Sequence, residues 1–265
     1  MVDRTISDVR TSYDLVADEY VRRISEELEH KPLDRQLLDR FAASVQDFGL
    51  SCDMGCGPGH VARYLDERGL RVSGVDLSPV MVEYARKLNP GIEFSCGDMR
   101  SLEIEDEALG GIAAFYSIIH IPRPEVVAAL VEMKRVLRPG GLLLLTFHIG
   151  DDVVHLADWW GRQVSVDFIF FRPEEMTGFL REAGLEVEEV VERDPYPDVE
   201  HPSRRAYIFA RKPRGSSQAR GPSGRPLDAG TSHGLGGQTH MSIVGHTPLK
   251  GSDDTGQKEG QEPMA

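Results

Sequence analysis

A run of glycines divides an apolar segment from an amphipathic one near the middle of the first hundred residues. In DMGCGPG, Gly55, Gly57, Pro58 and Gly59 fall within five consecutive positions. Glycine and proline both weaken the interior of a helix or strand, so this run marks a turn. Glycine also lets a ligand lie against the backbone, and a helix that follows presents free N–H groups to that ligand. The run predicts a ligand-binding turn that leads from a strand into a helix.

Short apolar runs and amphipathic runs alternate on both sides of this turn. The predicted strands are GLSCDM, LRVSGVDL, IEFSCGD, GGIAAFYSII, LLLLTFH, LEVEEVVER and RRAYIFARK. A helix is predicted in every interval except the one between IEFSCGD and GGIAAFYSII and the one between the last two strands. Strands alternating with helices indicate an α/β fold, a Rossmann-like doubly wound parallel sheet with helices on both faces. Only DPYPDVEHPS separates the last two strands, so we expect them to form an antiparallel hairpin at one edge of the sheet.

The two ends of the chain differ from this central part. Residues 5–49 have apolar side chains at helical spacing and predict helices interrupted at Pro32. From Pro213 onward there is no Phe, Trp or Tyr, and glycine is abundant. Such a segment buries too little apolar surface to order itself, although a partner-binding tail is the alternative. We therefore expect an N-terminal helical cap at 1–49, a binding domain at 50–212 and a disordered tail at 213–265.

Charge and cysteine content restrict the partners. The net charge of −13 argues against a sequence-independent nucleic-acid binder and against an anionic membrane surface. The N-terminus lacks the features of a signal peptide, and no apolar run reaches the length of a membrane span. Three cysteines without a metal-ligand pattern predict no metal site and fit a reducing cytoplasm. The sequence leaves open whether the protein is a monomer or a homodimer.

Three acidic residues end three consecutive predicted strands, namely Asp53, Asp76 and Asp98. The carboxyl ends of parallel strands meet in one crevice, so we expect these carboxylates to converge. The dinucleotide fingerprint G-x-G-x-x-G does not fit, because its third glycine would fall on His60. An acid at position 53 would repel a pyrophosphate and suits a cationic group. Asp76 is placed to accept from ribose hydroxyls, although capping of the next helix is the alternative.

These motifs resemble class I S-adenosylmethionine-dependent methyltransferases. DMGCGPG resembles the first motif of that family, GVDLSPVMVEYAR the segment after it, GDM the second motif and LRPGGLLLLTFH a later core strand. The resemblance covers about residues 10–212 and implies a seven-stranded, mostly parallel sheet with an antiparallel last strand. It also implies S-adenosyl-L-methionine as the cofactor.

The resemblance implies a role for each matching residue. The glycines would line the methionine side of the cofactor, Asp76 would bind the ribose, and Asp98 would accept from the adenine amino group, with Met99 on the ring. Asp53 would face the methionine amino group, directly or through water. Tyr13 and Tyr20 would close over the cofactor, unless they are core residues. The implied cofactor-binding set is Tyr13, Tyr20, Asp53, Gly55, Gly57, Gly59, Asp76, Leu77, Met81, Asp98, Met99 and Tyr116.

Catalytic candidates follow the fourth and fifth strands. His120 or His148 could act as a general base, because imidazole titrates near neutral pH. His148 is slightly favoured because Asp151 and Asp152 lie near enough in sequence to orient it, although either histidine could simply hydrogen-bond a loop. The long connection GDDVVHLADWWGRQVSVDFIFFR predicts an aromatic lid for the acceptor, or else packing against the N-terminal helices.

Charged residues further along the chain are weaker candidates. Arg172, Arg204 and Arg205 could anchor an anionic acceptor, and Glu200 and His201 could fold back from the hairpin turn toward the pocket.

The predicted function is methyl transfer from S-adenosylmethionine to oxygen or nitrogen of a small-molecule acceptor, a natural-product or metabolic intermediate. Two alternatives remain open, a protein or nucleic-acid methyltransferase and a cofactor-binding regulatory protein without turnover. A nicotinamide-dependent reductase is disfavoured by the glycine spacing and by Asp53.

Overall fold

The computed structural model describes residues 6–214 of the chain. The helices are α1 (Ile6–Ile24), α2 (Pro32–Val45), α3 (His60–Asp66), α4 (Pro79–Leu88), α5 (Arg123–Val136) and α6 (Pro173–Glu182). The strands are β1 (Ser51–Met54), β2 (Val72–Asp76), β3 (Glu93–Cys96), β4 (Leu109–Ala114), β5 (Leu137–His148), β6 (Val153–Trp159), β7 (Arg162–Ile169), β8 (Glu186–Arg193) and β9 (Arg205–Arg211). Short 3-10 turns lie at Glu27–His30 and Ile118–His120.

Seven strands form one sheet in the order β3-β2-β1-β4-β5-β9-β8. All neighbouring pairs among the first five are parallel, while β9 runs antiparallel to both β5 and β8. The predicted Rossmann-like sheet of seven strands with an antiparallel last strand is therefore confirmed, and so are the N-terminal helices. The order reverses between β1 and β4, which leaves a crevice at the carboxyl ends of these strands.

Two apolar layers cover the two faces of the sheet. Alternate residues of β5 face opposite sides, so Leu143 and Leu145 join one cluster and Leu142 and Leu144 the other. Residues of α5 and α6 fill the first layer, and those of α2, α3 and α4 fill the second. This two-sided burial explains why LLLLTFH is apolar without interruption.

Several local expectations need correction. The predicted strand GGIAAFYSII ends at Ala114, and Ile118–His120 is a 3-10 turn, so His120 is displaced from the strand axis. The sequence RPEVVAALVEMKRVLRPGG predicts a helix that ends at Pro139 and Gly140. The helix α5 instead ends at Val136, because β5 already begins at Leu137 and carries Pro139 within it. The long connection after His148 holds the antiparallel pair β6 and β7, which the sequence interpretation treated as an irregular lid.

The part of the chain described, residues 6–214, contains no helix long and apolar enough to cross a bilayer. The predicted tail at 213–265 lies outside these residues from 215 onward, and the predicted domain boundaries at 49 and 212 stay predictions.

Candidate active site

A cavity lies at the carboxyl ends of the first four strands. The first helix closes the cavity from the other side. The lining residues are Ile6, Val9, Arg10, Tyr13, Tyr20, Met54, Gly55, Gly57, Val75, Asp76, Leu77, Ser78, Gly97, Asp98, Met99, Phe115, Tyr116, Ser117, His120 and Ile121.

The glycine turn forms the floor of this cavity. Gly55 has φ +76°, and a Cβ there would lie 2.2 Å from Cβ of Ser117, so only glycine fits. The N–H groups of Gly55 and Cys56 both donate to the carbonyl of Val75, at 2.7 and 3.0 Å. These bonds fix the turn against the neighbouring strand, and Gly57 lines the cavity opposite the ring of Tyr20, whose Cε1 would lie 3.6 Å from a Cβ at position 57.

Asp76 is the carboxylate at the centre of the site. Its Oδ1 accepts from the N–H of Ser78 and its Oδ2 from the N–H of Gly57, both at 2.8 Å. The Ser78 bond holds the turn before α4, but Asp76 is not the cap of that helix, since the N-cap is Ser78. Burial raises the pKa of Asp76 to about 6, because the charged form is poorly solvated. Its remaining lone pairs face the cavity and can accept from hydroxyls.

Asp98 lies at the next strand end and is held by Arg100. Nε of Arg100 is 3.1 Å from each carboxylate oxygen of Asp98, and Nη2 is 2.7 Å from Oδ2. Partial burial favours the neutral form of Asp98, but the hydrogen bonds from Arg100 favour the ionised form more strongly. The pKa of Asp98 therefore lies below its usual value. Asp98 therefore stays ionised as an acceptor for an amino group.

Asp53 has a different environment from the other two acids. It is 1% exposed, and its Oδ2 accepts from the N–H of Ala62 at 2.9 Å, in the first turn of α3. Burial raises the pKa of Asp53 to about 7. It is absent from the cavity wall, so a direct contact with a ligand amino group would need a change in its surroundings.

An aromatic group stands at the mouth of the cavity. The rings of Tyr13 and Tyr20 on α1 are 5.6 Å apart, and Trp159 of β6 packs edge-on at 5.3 Å from Tyr13 and 6.0 Å from Tyr20. The hairpin of β6 and β7 is tied to α1 by the N–H of Ser165, which donates to Oγ of Ser12 at 3.0 Å. The connection thus packs on the N-terminal helix, as the alternative interpretation held, and its role as a lid for the acceptor stays a prediction.

His120 lies in the cavity wall with both ring nitrogens engaged. Nδ1 is 2.9 Å from the carbonyl oxygen of Asp167, and Nε2 is 2.8 Å from the hydroxyl of Tyr13. A carbonyl only accepts, so Nδ1 carries the proton and Nε2 accepts from Tyr13. Burial lowers the pKa of His120 to about 4, which keeps the ring neutral at physiological pH.

His148 lies outside the cavity wall. It is fully buried, its Nδ1 is 2.8 Å from Oγ of Ser203, and its ring stacks on Phe170 with centroids 5.0 Å apart. Asp151, expected to orient it, instead pairs with Arg172 at the surface. One of the two acids expected to orient His148 is thus engaged elsewhere. The ring of His148 lies 5.3 Å from the ring of Tyr116, a residue of the cavity wall, between centroids.

A sequence model of the methyltransferase domain family matches residues 52–141, which include the glycine turn, all three acids and β4. This match identifies a methyltransferase domain within the chain. S-adenosylmethionine is the cofactor of this family, and the site fits it, because a glycine turn free of side chains faces a carboxylate with open lone pairs.

Two curated proteins similar to this chain are named as O-methyltransferases. The malonyl-acyl-carrier protein O-methyltransferase of Serratia marcescens is 34% identical over 108 residues, 41% of this chain and 42% of that protein. The ubiquinone biosynthesis O-methyltransferase of Pseudomonas aeruginosa is 25% identical over 153 residues, 52% of this chain and 65% of that protein. Each match spans less than two thirds of the relative.

Solved structures support the fold alone. A SAM-dependent methyltransferase from Methanosarcina mazei superposes with a TM-score of 0.56 at 18% identity, covering 62% of this chain and 92% of that chain.

The structure brings most predicted residues of the methyltransferase domain together. Those in the cavity wall are Tyr13, Tyr20, Gly55, Gly57, Asp76, Leu77, Asp98, Met99, Tyr116 and His120. Those outside it are Asp53, Gly59, Met81 and His148. Gly59 instead precedes α3 with φ +80°, and the N–H of Met81 donates to the N-cap Ser78. The cofactor contacts of both groups stay predictions.

Other lining residues were missed by the sequence interpretation. Val9 lies one helical turn before Tyr13, a spacing that could have revealed it. Ser117 gave no sequence signal, since its role depends on the approach of β4 to the glycine turn, where its Oγ donates to the carbonyl of Met54 at 2.7 Å. Within residues 6–214 no cluster of three or more metal-ligating side chains occurs.

Proposed function

We propose that the protein transfers a methyl group from S-adenosylmethionine to an oxygen or nitrogen atom of a small molecule. One observation carries the proposal: Asp76, suited to a ribose, and the unprotonated Nε2 of His120 line the same cavity beneath an aromatic mouth. The first serves cofactor binding, and the second serves proton removal from an acceptor.

The cofactor site uses groups already held in place. Asp76 would accept from the ribose hydroxyls, Asp98 from the adenine amino group, and the turn at Gly55 and Gly57 would lie beside the methionine portion. The bound cofactor supplies a methyl group on a positively charged sulfur. Alignment of the acceptor and exclusion of water are then the main tasks of the protein.

His120 is the proposed general base for a hydroxyl acceptor. An acceptor hydroxyl would replace the hydroxyl of Tyr13 at Nε2 and pass its proton there as its oxygen receives the methyl group. The carbonyl of Asp167 keeps Nδ1 protonated, which presents the basic nitrogen to the cavity. Burial raises the pKa of Tyr13 well above its usual value, so Tyr13 stays a donor and does not compete as a base.

The relatives support an oxygen acceptor, because both are named O-methyltransferases. The enclosed aromatic mouth favours a small acceptor over a protein or nucleic-acid surface.

A cytoplasmic location is supported by three free cysteines, Cys52 and Cys56 buried and Cys96 exposed. A monomer or homodimer remains the expected state of association.

Calorimetry with S-adenosylhomocysteine tests the cofactor half of the proposal. Well-folded protein should bind it, and absence of binding would refute the assignment.

Incubation of cell lysate with methyl-labelled cofactor tests the acceptor half, and label should enter the low-molecular-mass fraction. Label only in protein or nucleic acid would favour the macromolecular alternative, and no transfer to any fraction would favour a regulatory protein.

Substitution of His120 tests the base. His120→Gln should leave the affinity for S-adenosylhomocysteine nearly unchanged and slow transfer to a hydroxyl acceptor by about 10²–10⁴-fold. The exposed His30 offers a matched control, and His30→Gln should have no effect. Full activity of His120→Gln would remove His120 from the mechanism.

A further inference from the structure

Arg100 is bound to a carboxylate of the cavity wall. Its partner Asp98 lines the cavity, whereas Arg100 does not, so the arginine holds the carboxylate without lining the site itself. The three arginines considered from the sequence as anchors for an acceptor pair with acidic residues that lie outside the wall. Those three are Arg172, Arg204 and Arg205. Among these four arginines, Arg100 is therefore the one whose ion pair reaches the cavity.

Arg100 contacts Asp98 through three different N–H groups. Its backbone N–H donates to Oδ1 at 2.9 Å, its Nε lies 3.1 Å from both carboxylate oxygens, and its Nη2 donates to Oδ2 at 2.7 Å. Donation by Nε and Nη2 to one carboxylate is the bidentate arrangement of a guanidinium. Such a pair fixes the orientation of the carboxylate in addition to stabilising its charge.

The guanidinium group is itself anchored on its other side. Its Nη1 donates to Oε2 of Glu125, in the first turn of α5. The N–H of Ser101 donates to the carbonyl of Asp98 at 2.9 Å and closes the turn that carries both members of the pair. The side chain of Asp98 is 27% exposed, so without these contacts it would be free to rotate.

The contacts leave Asp98 with little free capacity as an acceptor. An ionised carboxylate offers about four lone-pair sites. Three N–H groups of Arg100 occupy most of this capacity, so a ligand in the cavity finds about one acceptor site, in a direction that the arginine fixes. A single fixed acceptor suits a ligand with one N–H group at the matching position.

A fixed acceptor distinguishes purines by the group at position 6. Adenine carries an amino group there, which donates to a carboxylate. Hypoxanthine carries an oxo group at position 6, which repels a carboxylate, and its N–H lies at position 1 instead. A carboxylate that is free to rotate could follow that N–H group, whereas one held by Arg100 would have to break its hydrogen bonds to do so.

We propose that Arg100 is a positioning residue that makes the cofactor site specific for adenine, by holding Asp98 in the orientation that accepts from the 6-amino group. The inference rests on the proposed function, since it concerns the nucleobase of the cofactor in the same site. Asp98 makes the contact with the base, and Arg100 acts through Asp98.

Two ligands that differ only in the base test this specificity. S-adenosylhomocysteine and S-inosylhomocysteine share the ribose, the sulfur and the amino acid, and they differ at positions 1 and 6 of the purine. Calorimetry at neutral pH should show that the wild-type protein binds the adenosine compound about 10- to 150-fold more tightly, as expected for one hydrogen bond to a charged group. Equal binding of the two compounds would overturn the proposal.

Variants of Arg100 link the ratio of the two Kd values to the arginine. Arg100→Lys keeps the positive charge and loses the paired donors, so the ratio should fall by about fivefold or more. Arg100→Met should lower the ratio at least as far, because the charge is lost as well. A general loosening of the structure would weaken both ligands together and leave the ratio unchanged. The wild-type ratio in Arg100→Lys would refute the role, and this variant decides if circular dichroism shows that Arg100→Met is unfolded.

Arg135 of α5 provides a matched control. It is similarly exposed, and its ion-pair partners Glu132 and Asp106 lie outside the cavity wall. Arg135→Met removes the same charge and should keep the wild-type ratio. A decrease as large as that in Arg100→Met would show that loss of charge alone is sufficient, and this would overturn the proposal.

The same titrations keep the two proposals apart. Failure of S-adenosylhomocysteine to bind the wild-type protein would refute the proposed function. Binding of S-adenosylhomocysteine with an unchanged ratio in both Arg100 variants would refute only the role of Arg100.

Discussion

Protonation of Asp76 should control cofactor binding in a pH range that is easy to reach. Burial raises the pKa of this carboxyl to about 6 in the free protein. Ribose hydroxyls donate to the ionised form, so binding favours ionisation and releases a proton from any Asp76 that is protonated. Affinity should therefore increase as the pH rises through about 6 and level off above it.

The size of the effect follows from the pKa. At about pH 5, roughly nine tenths of the free protein would carry a protonated Asp76, so the Kd for S-adenosylhomocysteine should be about tenfold higher than at about pH 8. Asp76→Asn removes the charge and turns an amide N–H toward the N–H of Gly57 or Ser78. The loss of a charged hydrogen bond is worth about 1.5–3 kcal/mol, or about 10- to 150-fold in Kd.

Isothermal titration calorimetry between about pH 5 and pH 8, in buffers of different ionisation enthalpy, measures both the Kd and the protons released. The exposed Glu83 provides the control, since Glu83→Gln should keep the wild-type pH dependence. Circular dichroism confirms that Asp76→Asn is folded. A Kd that stays constant across this range, or an Asp76→Asn variant with the wild-type pH dependence, would show that Asp76 does not contact the cofactor.

Three other substitutions probe the turn, the core and the buried acid behind the turn. Gly55→Ala places a Cβ 2.2 Å from Cβ of Ser117 at a residue with positive φ. It should weaken cofactor binding, measured by calorimetry, and lower the melting temperature, measured by thermal unfolding. An unchanged Kd would mean that the turn can shift. Phe41→Ala removes a fully buried ring and should lower the free energy of unfolding, measured in urea, by about 3–5 kcal/mol. A decrease of less than about 1 kcal/mol would contradict close packing around Phe41. Burial raises the pKa of Asp53 to about 7, so the folded state favours the protonated acid, and that stabilisation is lost as the pH rises through about 7. Asp53→Asn should therefore gain stability relative to wild type by about 1.4 kcal/mol per pH unit between about pH 5 and pH 7, and a pH-independent difference in urea unfolding would refute the assignment.

The local features of the fold could be predicted from the sequence. The sequence SPVMVEYARKLN predicts a helix with Ser78 as N-cap and Pro79 at its first position, and α4 begins in this way, because N-cap chemistry depends on neighbours within one turn. The uninterrupted apolar run of β5 indicated a central strand covered on both faces, and the glycine turn indicated a ligand site. Asp76 and Asp98 meet in one cavity because both follow parallel strands of one sheet, a consequence of topology that short motifs can encode.

Features that depend on contacts between distant residues were decided by the tertiary structure. His120 became the stronger base candidate because the carbonyl of Asp167 and the hydroxyl of Tyr13 fix its tautomer. The pairing of β6 with β7 was missed because each strand alone resembles an irregular connection. We expected Arg205 at the surface, since charged side chains are usually exposed, whereas the structure buries it completely.

The sequence by itself thus determined the α/β alternation, the ligand-binding turn and the set of acids at the strand ends, because periodicity and turn chemistry act between near neighbours. Only the tertiary structure decided which histidine lines the cavity and which arginine is buried. Burial and hydrogen-bond partners depend on residues that are brought together from more than a hundred positions apart, as Tyr13 and His120 are.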